Sequence, residues 1–439
     1  MATECKTCCI FYGLIGTCIL WALLTLQCLL CVQLLQIPGG WLADHFGGKW
    51  FLGGCVFLSS VISLLTPAAA RTHLGLLLFV RVVSGLGEGV LFPALHSLLA
   101  RWSAPRHRSV IVSVILFGTD AGIVVGMPVA GALSDYGFAG GWPSVFYVFG
   151  VVGCIWFVAW CLLCYDSPST HPRISSTELA YWRSVLGTTY LVSRPPTPWR
   201  AIFTSVPVWA LAVAFFANNW GFFTLATCIP LFMYDILGFD MTKNGALSAV
   251  PFVSGILVLP FGLLADWLRT PGRLTTNSVR KIFCACGFIS TGCMLIAVGY
   301  SGCDRALVVI LMFIAVGCTC LSYPVVTVNQ LDLSPLHAGR IMGLTHFFGS
   351  LAAVGGPHAV GALTYHRSSR SEWQNVFFLA AGLFALGAVV FVVFGSGDRQ
   401  RWAAREEHCY EVEPQGSQQE ETAMSQPSAA DELQLDSTL

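Results

Sequence analysis

Residues Gly40-Trp41-Leu42-Ala43-Asp44, followed by His45-Phe46-Gly47-Gly48-Lys49, recur in kind as Gly262-Leu263-Leu264-Ala265-Asp266, followed by Trp267-Leu268-Arg269. Each copy closes a long apolar segment and opens a short loop with basic residues. A G-x-x-A-D pattern repeated far apart implies two related halves, each a bundle of membrane helices, the plan of a secondary transporter built from repeats. The motif has a physical rationale. Its glycine lets two helices approach closely. Its carboxylate can cap a following helix or pair with a nearby arginine.

Composition agrees. Of 439 residues 55% are hydrophobic and 10% charged, against about 25% charged in soluble proteins. This much apolar surface fits only a polytopic membrane protein. The formal net charge of +0 gives no reason to expect nucleic acid. The 18 cysteines are mostly scattered singly through apolar segments, where a free cysteine behaves as a small hydrophobe. Cys5, Cys8 and Cys9 form a C-x-x-C-C cluster without the second ligand pair of a zinc site. The first apolar run is too long and lacks the basic flank of a cleavable signal peptide.

Eleven long apolar segments follow one another: roughly 8–38, 50–70, 74–100, 107–135, 142–165, 203–233, 244–267, 280–300, 305–328, 338–364 and 373–396. Most approach the roughly 20 residues a spanning helix needs. The expected organisation is an incomplete N-terminal bundle (1–165), a polar Pro-rich cytosolic linker (166–202), a C-terminal bundle (203–397) and a disordered Gln/Glu/Ser-rich cytosolic tail (398–439). Lys49, Arg101, Arg106, Arg108, Arg173, Arg183, Arg200, Arg269, Arg273, Arg280, Lys281 and Arg340 fall in one set of loops; the alternate loops hold fewer basic residues. The positive-inside rule puts the richer set and the C-terminus in the cytosol. Matched halves have equal helix counts, so eleven segments predict that one N-terminal helix is missing.

Several residues stand out because charge and amide groups are costly inside a bilayer. Arg81 and Glu88 occupy one apolar segment seven residues apart, hence on one helix face. Arg81 suits a carboxylate substrate and Glu88 suits proton coupling; the structural alternative is an ion pair holding the bundle. His96 can relay a proton near neutral pH or pack in the core. Asp120, among Gly118, Gly122 and Gly126, needs Arg81, a water or a proton, and is expected either to take part in proton coupling or to face the cytosolic or lumenal mouth. Asn218 and Asn219, beside Trp220, suit recognition of a polyhydroxylated or carboxylated solute, or helix–helix hydrogen bonding. Asp44 and Asp266 are expected at a gate, with Arg101 or Arg108 pairing with Asp44. No nucleophile–base pair, metal cluster or phosphate loop suggests an enzyme.

Longer stretches carry a family resemblance. Gln36-Ile37-Pro38-Gly39-Gly40-Trp41-Leu42-Ala43-Asp44 and Arg81-Val82-Val83-Ser84-Gly85-Leu86-Gly87-Glu88-Gly89-Val90-Leu91-Phe92-Pro93-Ala94-Leu95-His96 resemble the vesicular and lysosomal organic-anion transporters. So do Ser144-Val145-Phe146-Tyr147-Val148-Phe149-Gly150, Val328-Asn329-Gln330-Leu331-Asp332-Leu333-Ser334-Pro335 and Glu372-Trp373-Gln374-Asn375-Val376-Phe377. That family, a branch of the major facilitator superfamily, includes sialin, the vesicular glutamate transporters and the phosphate-type anion cotransporters; its sialin-like members are the most similar. The resemblance spans about residues 33–403. It implies an all-α, twelve-helix rocker-switch fold with a central anion site, a lysosomal or vesicular membrane (or the plasma membrane), and a monomer. It implies no cofactor, the driving force being a proton gradient or membrane potential; a sodium-dependent phosphate carrier and a truncated, non-transporting product are the alternatives. Residues Arg81 and Glu88 match positions implicated in transport. Two departures are expected to matter most, the absent first helix and the segment before Gln33, where Leu26 to Val32 reads L-Q-C-L-L-C-V instead of the family's G-S-F-F-x-G-Y; two further positions also differ. The family's first helix with its R-x-N-L motif has no counterpart. Asn218 stands where vesicular glutamate transporters have arginine, and Gln330 where members have histidine.

Overall fold

The computed structural model describes residues 33–186, 197–235, 250–270, 273–301, 304–364 and 370–404. The segment before residue 33, including Cys5, Cys8 and Cys9, lies outside the described residues, as does the tail from 405. All regular structure among the described residues is helical. Helix α1 covers 33–46. There follow α2 (Gly48–Thr72), α3 (Leu74–Trp102), α4 (Arg108–Tyr136) and α5 (Pro143–Leu163). The linker carries two short helices, α6 (Ser176–Leu186) and α7 (Trp199–Thr204). The second half contains α8 (Val206–Asp235), α9 (Val258–Leu268), α10 (Thr276–Tyr300), α11 (Arg305–Leu333), α12 (Ala338–Thr364) and α13 (Arg370–Phe394). Residues 250–257 extend α9 backward through a tightened 3-10 turn, Ser254–Leu257.

Nine of these helices, α9 with its extension included, are long and apolar enough to cross a membrane. The structure thus carries most of the expected segments as helices. Local chemistry explains several starts. Asp304 accepts from the amides of Ala306 and Leu307 to cap α11, Thr275 accepts from Ser278 to cap α10, and Pro143 opens α5 where its missing N–H costs nothing. Pro67, Pro93, Pro128, Pro324 and Pro357 sit inside helices, as membrane helices allow.

Two bundles result. In the first, α2 packs on α3 and α5; in the second, α10 packs on α11 and α13, and α8 on α12 and α13. The second bundle has the larger core. There Trp373, Phe288, Phe384 and Phe391 are fully buried, with the Phe288 and Phe384 rings 5.3 Å apart. Side chains such as Val151, Ile155, Val158 and Leu162 of α5 are exposed, which in a bilayer faces them to lipid. The described cysteines are free; Cys55, Cys284 and Cys320 are buried hydrophobes as expected, whereas Cys286 and Cys293 lie on the outer surface.

Ordered structure also runs past the expected tail boundary at 398. The Gln400 amide donates to the Leu333 carbonyl at 3.0 Å, Ala403 is buried, and the Trp402 ring stacks 6.1 Å from that of His337. Residues 398–404 therefore dock where α11 ends and α12 begins.

Candidate functional site

The two bundles meet where the two motif copies lie. Gly40 packs its α-carbon against the Gly339 carbonyl at the start of α12, so closely that a β-carbon there would overlap backbone. Gly262 abuts Ser113 and the Ser109 carbonyl on α4 in the same way. Each motif glycine thus touches the opposite bundle.

Each motif aspartate, four residues on, behaves alike. Asp44 accepts from the backbone N–H of Arg340 at 3.1 Å, and Asp266 accepts from that of Val110 at 3.0 Å. Arg340 is the third residue of α12 and Val110 the third of α4. Early helical N–H groups have no partner within their own helix and carry the positive end of its dipole. A carboxylate from the other bundle satisfies them in both places.

The expected partners differ. Asp44 pairs with Arg340, whose Nε lies 3.6 Å away, rather than with Arg101 or Arg108. Arg101 donates to the Asp44 backbone carbonyl at 3.2 Å. Arg108 donates to the Leu331 carbonyl at 2.9 Å and lies 3.8 Å from Asp332. Asp332 proves to be the hub of this face. Arg280, fully buried, donates from Nε at 2.8 Å and from Nη1 to Ser109 across the bundle interface at 2.9 Å. Arg269 lies 3.9 Å from Asp332 and 3.4 Å from Asp266. Burial and the neighbouring Arg280 pull the Arg269 guanidinium below its usual range, while Asp332 and Asp266 pull it back. It stays charged. One carboxylate shared by three arginines ties α4, α9, α10 and α11 together and seals this end.

Deeper in the membrane the interface becomes uncharged. His96 is buried, with Nδ1 3.0 Å from the Phe92 carbonyl and Nε2 3.0 Å from that of Thr327. It therefore latches α3 to α11, which removes it from the open proton path that its position allowed. Gln36 donates to Ser350 at 2.9 Å, joining α1 to α12. Asp120 does not meet Arg81: its carboxylate packs against Gly255 in the 3-10 turn preceding α9. Beyond Asp120 on α4, Gly122, Gly126 and Gly131 have only open space beside them. Among the described residues, the polar contacts between the bundles lie toward the end that holds the two motif copies.

Arg81 and Glu88 are not paired with each other. The Arg81 guanidinium lies over the Phe146 ring, 5.4 Å from its centroid, a cation–π contact. Glu88 accepts from Ser84 one turn away at 3.0 Å and is exposed. The bundle-holding ion pair considered above is therefore not what these residues form. Asn218 and Asn219 are buried; Asn218 Oδ1 and Asn219 Nδ2 lack partners among the described residues, and Asn219 Nδ2 is held against Gly349 of α12. The sequence reading passed over His346, Gln36, Ser350 and the role of Asp332 as hub. Only the isolated His in an apolar segment and the Asp within N-Q-L-D were visible signals.

The model of the Major Facilitator Superfamily matches residues 11–357. The chain belongs to the Major Facilitator Superfamily. Vesicular glutamate transporter 3 of Danio rerio is 40% identical, covering 84% of this chain and 62% of that protein. Vesicular glutamate transporter 2 of Homo sapiens is 38% identical, with 85% and 64% covered. A Drosophila ananassae protein named "Putative inorganic phosphate cotransporter" is 39% identical, with 84% and 77% covered. The chain is thus a multi-pass membrane protein in the transporter branch containing these relatives, a class apart from enzymes. It spans somewhat under two thirds of the length of the vesicular glutamate transporters. Among solved structures, the proton:xylose symporter XylE superposes with a TM-score of 0.68 at 14% identity, over 86% of this chain and 87% of that one. The human organic anion transporter MFSD10 (TETRAN) superposes with 0.61 at 16% identity, over 84% and 82%. At such identities these two speak for the fold alone, which is the facilitator fold expected from the repeat.

Proposed function

We propose that this chain is a proton-coupled carrier of small organic anions, with acidic sugars such as sialic acid or acidic amino acids as the substrate class. The observation that carries this reading is the arrangement along α3. Its cytosolic half is clamped into the bundle interface, while the exposed Glu88 carboxylate and the Arg81 guanidinium sit farther along it. A guanidinium offers two parallel donors to a carboxylate. A carboxyl that is solvated on one side of the membrane and enclosed on the other changes its proton affinity with conformation. That is the requirement for coupling a proton to bundle rocking.

In this reading substrate meets Arg81, Glu88 takes a proton from the acidic side, and loss of the Asp44 and Asp266 contacts opens the cytosolic side. Asn218, where vesicular glutamate transporters carry arginine, supports a solute bearing hydroxyl or amide groups over glutamate concentration. The second reading, sodium-driven phosphate or anion cotransport, rests on the similarity to the Drosophila protein.

The test is uptake of labelled sialic acid, glutamate and phosphate by proteoliposomes holding this chain, with an imposed proton gradient or a sodium gradient. Proton-stimulated sialic acid or glutamate uptake is expected. Phosphate uptake that needs sodium would establish the second reading instead. No uptake of any of the three, beside an active relative, would mark a non-transporting product.

A further inference from the structure

We propose that His346 is the residue on which proton and anion meet at the floor of the passage. The inference rests on the anion-carrier reading and adds a site to it. His346 lies in the first third of α12 and is partly exposed. Its ring stacks on Phe92 of α3, 4.7 Å between centroids, and leans on Phe215 of α8 at 5.8 Å. It thus belongs to one bundle and rests on the other.

Hydrogen bonding selects its tautomer. Ser350 Oγ receives the Gln36 amide at 2.9 Å and has its own hydrogen directed to the His346 carbonyl at 2.8 Å. Its remaining contact, His346 Nδ1 at 3.0 Å, is then filled by Nδ1–H donating to the hydroxyl. Nε2 is left with its lone pair, and it has no protein partner among the described residues. An imidazole in this state carries a lone pair on Nε2 that can receive a proton.

The surroundings favour an anion beside the imidazolium. The Asn219 amide nitrogen and Gln36 Oε1, both buried and unpartnered, belong to the same layer: Asn219 touches Gly349, and Gln36 is bound to Ser350. The amide nitrogen is a donor for a carboxylate oxygen; Gln36 Oε1 is an acceptor for a hydroxyl. From α3 the titratable groups are His96, with both ring nitrogens on carbonyls, and Glu88, about one turn from Phe92. From α1, α8 and α11 the packed residues Gln36, Phe215, Asn219 and Gln330 do not titrate. Arg81 is about 16 Å farther along α3, from eleven residues at 1.5 Å each. One small anion cannot span that distance, so Arg81 serves the entrance and His346 the floor.

The step balances. On the acidic side Nε2 gains a proton and the imidazolium holds one carboxylate. On the neutral side the proton passes to water and the carboxylate leaves with it. The Gln330 side-chain amide meets Thr345, the residue next to His346, at 3.2 Å.

Two measurements decide this. The first is nitrogen-labelled histidine NMR on the full chain in lipid nanodiscs, with the His346 signal identified by its loss in His346→Gln. Titration of that imidazole between pH 5 and 8 is expected; an imidazole that stays neutral throughout overturns the proposal. The second is uptake of labelled sialic acid and glutamate in proteoliposomes. Acid stimulation should vanish in His346→Gln and His346→Asn and persist in His358→Gln, whose histidine is exposed on the same helix. Undiminished acid stimulation in both position-346 variants also overturns it. If the wild type carries neither anion, the carrier reading fails by itself, and the NMR titration still decides whether His346 binds a proton.

Discussion

Replacing Gly40 by alanine should hold the cytosolic side open. The added β-carbon would overlap the Gly339 carbonyl oxygen and sit 2.9 Å from its carbon and 3.1 Å from the Arg340 α-carbon. All three are backbone atoms at a helix start that Asp44 itself pins, so they cannot yield as a flexible side chain would. Overpacking of this kind costs roughly 1–3 kcal/mol. The cost falls only on the conformer in which α1 and α12 touch. At about 1.4 kcal/mol per factor of ten, the balance should move roughly 5- to 150-fold toward separated bundles. Alanine also favours helix over glycine by about 1 kcal/mol, a gain common to both conformers. Gly54→Ala, in α2 with nothing within 4 Å, is the matched control. The assay is energy transfer between fluorescent residues placed at the cytosolic ends of α1 and α12, read in nanodiscs. Gly40→Ala should lengthen the distance while Gly54→Ala leaves it unchanged. Identical behaviour of the two variants would refute the argument that this glycine exists for close approach.

Further outcomes follow from the gate. Asp266→Ala should weaken the cap on α4 by about 1 kcal/mol and move the same energy-transfer signal in the same direction as Gly40→Ala; no movement would separate the two motif copies in function. Arg280→Met leaves Asp332 buried with more distant partners and should lower stability by about 3–5 kcal/mol, read as a fall in melting temperature in detergent, whereas an unchanged melting point would deny Asp332 its role as hub. Cys164, whose thiol burial pushes up against the opposing pull of Lys49, should stay protonated at neutral pH and react with maleimide more slowly than a free cysteine until the pH is raised. Mass spectrometry of the modified peptide measures this, and a rate equal to that of free cysteine would contradict the assignment.

Much of the architecture was legible because a bilayer imposes simple rules. Segment length marked the helices, and the repeated G-x-x-A-D marked the halves. The motif even announced its chemistry, a close approach and a carboxylate cap. Its partners were hidden. Asp44 meets Arg340 from 296 residues away and Val110 meets Asp266 from 156, and sequence proximity suggested Arg101 and Arg108 instead. Asp332 was obscure for a related reason: its three arginines come from three separate loops or helix ends. Arg81 and Glu88 share a helix face by spacing, yet a ring of α5 and a serine one turn away claim them separately. His346 carried no spacing signal; its meaning comes from Phe92, Phe215 and Ser350 converging on it from two other helices and its own.

The most direct test of the central claim compares wild type with Glu88→Gln in proteoliposomes, measuring proton-gradient-driven uptake and substrate exchange at equal pH for the anion that the wild type carries. Coupling through Glu88 predicts that the variant loses gradient-driven uptake and keeps exchange. Full proton-driven uptake by Glu88→Gln would contradict it.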